Sequence, residues 1–317
     1  IMLDILSTTV PIYLAIAVAY LATRLGLFDK AGLRALGKFV IDIALPAMLF
    51  DTLMQGPLRE ALNGTYVTAY AAGSLLCLTL AFSWARRLAP DDAGARPYVA
   101  MGMILSNSGF VGFPIMLLVL PSAAGVALAL NVLVENIVLL PLALSLAERR
   151  DAPAKNRWMA VGQAIFGLRK NPVVVSIFVA LALSLLEIRL PPALSRTVAL
   201  FAQASVGIAL FTIGGALCGM PFSELGGKAA AIAAGKLLLH PLCLWLALSL
   251  CVAAGMTALS SDLYAALLLT GTLPTMSIYP LLGMRHGHEK FCAAALLATT
   301  ILSFFTLSGL LALLGKL

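Results

Sequence analysis

Ten apolar runs, each long enough to cross a bilayer as a helix and parted by short charged breaks, fill nearly the whole chain. They cover roughly residues 3–24, 33–54, 64–88, 97–120, 122–147, 171–189, 193–219, 229–254, 261–284 and 290–315. A spanning helix needs about 20 mostly apolar residues. None of the runs shows the alternating polarity over about 10 residues that marks a membrane strand. The chain is therefore expected to be an all-α integral membrane protein with ten transmembrane helices. Composition argues against a soluble fold: 61% of the 317 residues are hydrophobic and 11% charged, where a soluble domain carries about 25% charge. The first run has no basic stretch before it and continues into the body of the chain, so it reads as a retained helix and not a leader.

The net charge of +7 reads as a topological signal, and no nucleic-acid partner is expected. Of the 21 Lys and Arg, only Arg59, Arg189, Arg196 and Lys316 fall in the even connections or the termini. The odd connections hold the rest, with Arg149, Arg150, Lys155, Arg157, Arg169 and Lys170 in the fifth. Positive charge concentrates on the cytoplasmic side, so both termini are expected outside. Residues 148–170 form a cytoplasmic loop in which Arg157 to Lys170 reads as an amphipathic helix on the inner leaflet, with Trp158 and Phe166 on one side.

That loop leaves five spans in residues 1–147 and five in 171–317. Five is odd, so the second set enters from the opposite side, which is the condition for an inverted repeat. Internal echoes support it. A proline lies near the start of each half (Pro11, Pro172), and small, turn-prone runs recur in the second spans, "DIALPAMLF" at 42 and "VGIALFTIGG" at 206. The sharpest echo is in the fourth spans of each half, "SNSGFVGFP" at 106 and "TGTLPTMSIYP" at 270. Unwound backbone cannot face lipid and survives only under protein or water. Two helices broken at matching positions would bring four half-helix ends together near the midplane. Half-helix N-termini there can hold an anion without a lysine or arginine. A plain kink is the alternative for either segment, since Gly and Pro are common in membrane helices; two in register, both rich in Asn, Ser and Thr, weigh toward a site.

The pattern Asn107, Gly109, Gly112, Pro114, together with Pro274 in the ninth span and "IDIALPAMLF" in the second, resembles the auxin efflux carrier family, which includes plant auxin exporters and bacterial permeases for malonate and malate. The resemblance extends over essentially the whole chain in helix number, orientation and motif order. It implies a five-plus-five inverted repeat with helices 1, 2, 6 and 7 as scaffold and helices 3–5 and 8–10 as a mobile, elevator-type transport unit. Broken helices 4 and 9 would cross in that unit, and a homodimer would form through the scaffold. Asn107 matches the asparagine that family members place at the substrate carboxylate. Ser108, Gly109, Gly112, Pro114, Pro274, Thr275 and Ser277 are the other candidate substrate-binding residues. The long cytoplasmic loop of some plant members is absent, which points to the bacterial branch and an inner (plasma) membrane.

Ionisable and polar groups at membrane depth are functional candidates. Glu135 shares a helix face with Asn131; it is either a structural carboxyl bonded to a neighbour or the group that couples transport to a proton or cation such as sodium. Asp42 lies one turn before Pro46 and could pair with a base, cap the kink or line the cavity. Lys236 and His240 share a face; Lys236 is expected either to snorkel to the inner surface or to pair with Glu135 or the substrate. The glycines at 215 and 219 form a G-x-x-x-G packing motif. The five cysteines fall at no metal-ligand spacing, and "HGHE" at 286 has no third ligand nearby, so no metal and no cofactor is expected.

The function expected is secondary transport of a small organic anion, with no enzymatic activity. A sodium/proton antiporter or bile-acid-type sodium symporter on a similar scaffold is the alternative, though paired acids would be expected beside the crossing. A membrane sensor or intramembrane enzyme is a third reading, and neither G-x-S-x-G, H-E-x-x-H nor a P-loop occurs.

Overall fold

The computed structural model describes residues 2–55, 63–147, 166–218, 226–284 and 286–315. Each of the ten apolar runs is largely helical where described, the fourth and ninth with an interruption at 105–107 and 273–278. In chain order the helices are α1 (Met2–Arg24), α2 (Lys30–Phe39), α3 (Leu45–Gln55), α4 (Gly64–Leu88), α5 (Ala95–Ile104), α6 (Phe113–Val119), α7 (Pro121–Val134) and α8 (Leu140–Ala147). They continue with α9 (Pro172–Leu185), α10 (Pro192–Leu217), α11 (Gly227–Ala234), α12 (His240–Ala253), α13 (Ser261–Thr272), α14 (Tyr279–Met284) and α15 (Glu289–Leu313). Five described stretches are long and apolar enough to cross a membrane: Gly64–Leu88, Pro121–Ala143, Pro192–Leu217, Gly227–Ala253 and Glu289–Leu313. Tyr13–Arg24, Ser108–Val119 and Pro172–Leu185 are shorter apolar helices. Of the expected amphipathic helix, residues 157–165 lie outside the described residues, as does Gly219. Its described end is a 3₁₀ turn at Leu168–Lys170 preceded by Phe166, which is exposed and stacked under Arg169.

Helix starts are set by short polar side chains just ahead of apolar runs. Asn63 accepts from Tyr66 N–H, Asn171 from Val173 N–H and Ser260 from Leu263 N–H. The outer faces are apolar as well: Leu14, Val18, Phe178, Leu200, Trp245 and Phe305 are all exposed. An apolar exterior around an apolar core is the surface a lipid-embedded bundle presents.

Four helices contain one wide π turn, at Val40–Ala44, Ser108–Gly112, Glu135–Leu139 and Gly235–Leu239. Each closes with an N–H bond to the carbonyl five residues back: Leu45 to Val40, Phe113 to Ser108, Leu140 to Glu135 and His240 to Gly235. A proline follows two residues after each turn, at positions 46, 114, 141 and 241. Proline donates no hydrogen bond and its ring presses on the carbonyl four residues earlier. One extra residue in the turn opens that gap without ending the helix. Asp42, Ser108, Glu135 and Lys236 all lie inside these turns.

The most extensive packing falls into two groups, with fewer contacts between them. α1 runs along α10, and α9 and α10 both pack on α3. α4 runs along α12 and also packs on α5, while α11 and α14 pack on α15. Small residues allow these approaches. A Cβ on Gly73 would lie 2.8 Å from Leu244 Cα, and one on Gly214 would lie 2.1 Å from Ile16 O. Gly214→Val should therefore force α1 from α10 and destabilise the purified protein by about 1–3 kcal/mol. Gly207→Ala, on the same helix with no atom within 4 Å of the added carbon, should be neutral or stabilising. Equal unfolding temperatures for Gly214→Val and wild type would remove this contact from the account.

Candidate functional site

The two polar breaks meet. α5 ends at Ile104 and gives way to extended backbone at Leu105; α13 ends at Thr272 and gives way to extended backbone at Leu273. These stretches pair antiparallel in a single bridge between Ser106 and Thr275, the one β-type contact among the described residues. Asn107 N–H donates to Pro274 O at 2.9 Å and Met276 N–H to Leu105 O at 3.2 Å. Pro274 has no N–H to leave unpaired at this point. Side chains complete the pairing: Thr275 Oγ1 donates to Gly102 O at 2.9 Å, and Thr275 N–H donates to Thr299 Oγ1 at 3.2 Å.

Beyond the bridge each chain turns back into helix, and there donors are left over. Val111 and Gly112 N–H both bond to Asn107 O, whereas Ser108, Gly109 and Phe110 N–H find no backbone partner among the described residues. On the other strand Tyr279 N–H bonds to Met276 O, and Ser277 and Ile278 N–H find no backbone partner among the described residues. Gly109, Phe110, Ser277 and Ile278 are partly exposed. Asn107 Nδ2 donates to Ser277 Oγ at 2.7 Å and so ties the two helix starts together. Asn107 is only 4% exposed, with one amide proton committed to Ser277. Gly109 and Gly112 serve packing here: a Cβ on Gly112 would lie 2.4 Å from Leu273 Cδ1 and one on Gly109 3.3 Å from Leu45 Cδ1. Pro114 falls in the first turn of α6.

The opposite, carbonyl ends of the half-helices are covered differently. Lys236 is wholly buried and so does not snorkel as one sequence reading expected. The wide turn carries it toward α13, and Gly235 brings the backbone against Met103 of α5. Its Nζ lies 2.8 Å from Gly271 O, 3.4 Å from Thr270 O, 2.9 Å from Ser106 Oγ and 2.9 Å from His240 Nδ1. These carbonyls end a helix and carry its partial negative charge. His240, also buried, contacts Ser74 Oγ through Nε2 at 2.9 Å. Lys236 forms no contact of ion-pair length with Glu135.

Glu135 and Asn131 are held by α4. Tyr66 OH donates to Asn131 Oδ1 at 2.9 Å and Tyr70 OH to Glu135 Oε1 at 2.8 Å. The same sequence offset of 65 in both bonds means that α4 and α7 run parallel in register. Asn131 Nδ2 donates to Thr270 Oγ1 at 2.8 Å, and Ser108 Oγ donates to Glu135 Oε1 at 2.5 Å. Asp42 stands apart from this network: its carboxylate, partly exposed, pairs with Lys38 at 3.0 Å.

Sequence reasoning did not single out Tyr66, Tyr70, Ser74, Ser106 and Thr270. The signal for the first three was present, since they recur every four residues as a polar stripe on an otherwise apolar helix. The histidine loop is structural among the described residues: His286 Nδ1 bonds to Tyr98 OH at 2.5 Å and His288 Nδ1 lies 3.9 Å from Asp92. Desolvation lowers the pKa of His288 despite that carboxylate. No set of three potential metal ligands is assembled among the described residues.

A helical membrane protein in which two interrupted helices pair through their breaks has the architecture of a membrane transporter. Residues 4–311 match the family described as "Membrane transport protein", and the chain belongs to that family of auxin efflux carrier-type permeases. Among its relatives, a protein of Rhizobium meliloti (strain 1021) named "Putative malonate transporter" is 27% identical over 312 residues, 98% of this chain and 96% of that protein. "Uncharacterized transporter YfdV" of Escherichia coli (strain K12) is 24% identical over 297 residues, 93% of this chain and 92% of that protein.

The ladder can be tested without a substrate. Tyr66→Phe leaves Asn131 Oδ1 buried without its donor, which should cost about 1–3 kcal/mol in unfolding experiments. In an Asn131→Leu background the same change should cost much less. Equal losses in both backgrounds would show that Tyr66 acts by packing alone.

Proposed function

We propose that the protein is a secondary transporter of a small organic anion, a carboxylate such as malonate, malate or an auxin-like acid, in a bacterial inner (plasma) membrane. The observation that carries this reading is the set of N–H groups at Ser108, Gly109 and Phe110, and at Ser277 and Ile278, that have no backbone partner among the described residues and whose two helix starts the Asn107–Ser277 bond ties together. Free donors at a helix start bind an anion by hydrogen bonding and by the helix dipole together. The name of the Rhizobium relative agrees with a small dicarboxylate. In this reading ten spans form two inverted five-helix repeats, 1–147 and 171–317, around the loop at 148–170, with both termini outside. α1–α3, α9 and α10 form the scaffold, which also supplies the face for a homodimer. α4–α8 and α11–α15 move against it as an elevator, and the division of packing into those two groups supports the assignment.

Asn107→Ala removes the side-chain donors and leaves the backbone N–H groups in place. Affinity for the carried acid should fall by about 1.5–3 kcal/mol, the range for a hydrogen bond to a charged group, or roughly one to two orders of magnitude in Kd. Calorimetry against malonate, malate and indole-acetate measures it. Unchanged affinity in a folded variant would take the crossing out of the site.

Glu135 is proposed as the coupling group. Glu135→Gln keeps an acceptor for Tyr70 and Ser108 but can neither load nor release a proton. Uptake into proteoliposomes should then lose its dependence on the proton gradient while substrate binding persists. A variant with wild-type pH and sodium dependence would reduce Glu135 to packing.

A further inference from the structure

Four acceptors close around one point at the carbonyl end of α13. Gly271 O, Ser106 Oγ and His240 Nδ1 lie 2.8, 2.9 and 2.9 Å from it, and Thr270 O lies at 3.4 Å. Two are main-chain carbonyls, which can only accept. The third is a hydroxyl whose own proton is spent on Thr270 O at 2.9 Å. The fourth is a ring nitrogen, which accepts in the tautomer that carries the ring proton on Nε2, where Ser74 Oγ lies 2.9 Å away to receive it. Carbonyl and hydroxyl oxygens converging at a half-helix C-terminus are the surroundings in which carriers built on broken helices coordinate a coupling cation. Here the point is occupied by Lys236 Nζ, whose three protons meet only acceptors.

We propose that Lys236 is a tethered cation that permanently fills a monovalent-cation site at the crossing. An alkali ion has no room beside it, so the protein binds its substrate and turns over without sodium. The sodium-symporter alternative is answered by the chain's own side chain. The cation site stands on geometry alone, whereas the statement about turnover rests on the transport reading above. Lys236 is a positioning residue in this account: it neutralises the carbonyl end of α13 and so holds Thr270 and Ser106, which anchor the two breaks.

Lys236→Ala empties the cage and leaves a slot the shape of propylammonium. Thermal unfolding of the purified variant, titrated with propylammonium, ammonium or sodium against choline, should show an upward shift on the order of 3 °C for small cations that fit. Wild type should show no such shift. A merely structural lysine would give a destabilised variant that no cation restores, and that result overturns the proposal. Should Lys236→Ala fail to fold, the wild type decides: stabilisation by sodium over choline refutes a filled site, and indifference supports it. In proteoliposomes, labelled malonate uptake should be unchanged when sodium is replaced by choline, and a sodium requirement refutes the proposal. Absence of uptake of any tested acid counts against the transport reading alone, because the unfolding arm needs no substrate.

Discussion

An amide or carbonyl left open to lipid costs several kcal/mol, and the rest of this molecule is arranged around that cost. Two helices are interrupted in the middle of an apolar bundle, and neither interruption could stand alone. Each break completes the other through the Asn107–Pro274 and Leu105–Met276 backbone bonds. Hydroxyls take up a carbonyl and an amide that remain, Thr275 within the break for Gly102 and Thr299 on α15 for Thr275. Among the described residues of the two breaks, the N–H donors just beyond the bridge are left without a protein partner, and the backbone there is partly exposed. In the proposed reading, these donors are where an anion would bind.

The wide turns explain how polar side chains reach this region from helices that are otherwise apolar. Proline would ordinarily kink a helix or end it. Here an extra residue absorbs the steric conflict, and the side chain in that turn is Ser108, Glu135 or Lys236. Each is then held by a neighbour: Ser108 by Glu135, Glu135 by Tyr70, Lys236 by Ser106 and His240. The same device at Asp42 ends differently, because a partner one turn earlier, Lys38, captures the carboxylate at the surface.

Much of the helical framework was legible in the sequence because a lipid-embedded helix announces itself by length and apolarity; the fourth and ninth apolar runs were found, and so were their breaks. The crossing partners of the breaks were not derivable residue by residue, because pairing of Ser106 with Thr275 depends on how the long intervening chain folds back. Lys236 was ambiguous for a related reason. Its distance from the helix start permits snorkelling, and only the position of the α13 carbonyls shows that a buried partner is nearer. The tyrosines of α4 carry large apolar rings, and so they passed as core although their hydroxyls organise Asn131 and Glu135.

The hydroxyl of Ser108 has one proton, and in this structure it goes to Glu135 Oε1. A carboxylate bound at the neighbouring N–H groups would be a second acceptor beside the same hydroxyl. While Glu135 is ionised the two anions compete for that proton and repel one another, as like charges sharing a site do. Once Glu135 is protonated, its own hydrogen can be donated to Ser108 Oγ, and the serine proton is released toward the substrate. Within the proposed reading, substrate binding and proton loading at Glu135 favour each other through a single hydroxyl, and by linkage the effect runs equally in both directions. Tyr70 OH, which donates to the same oxygen, orients the carboxyl in either state.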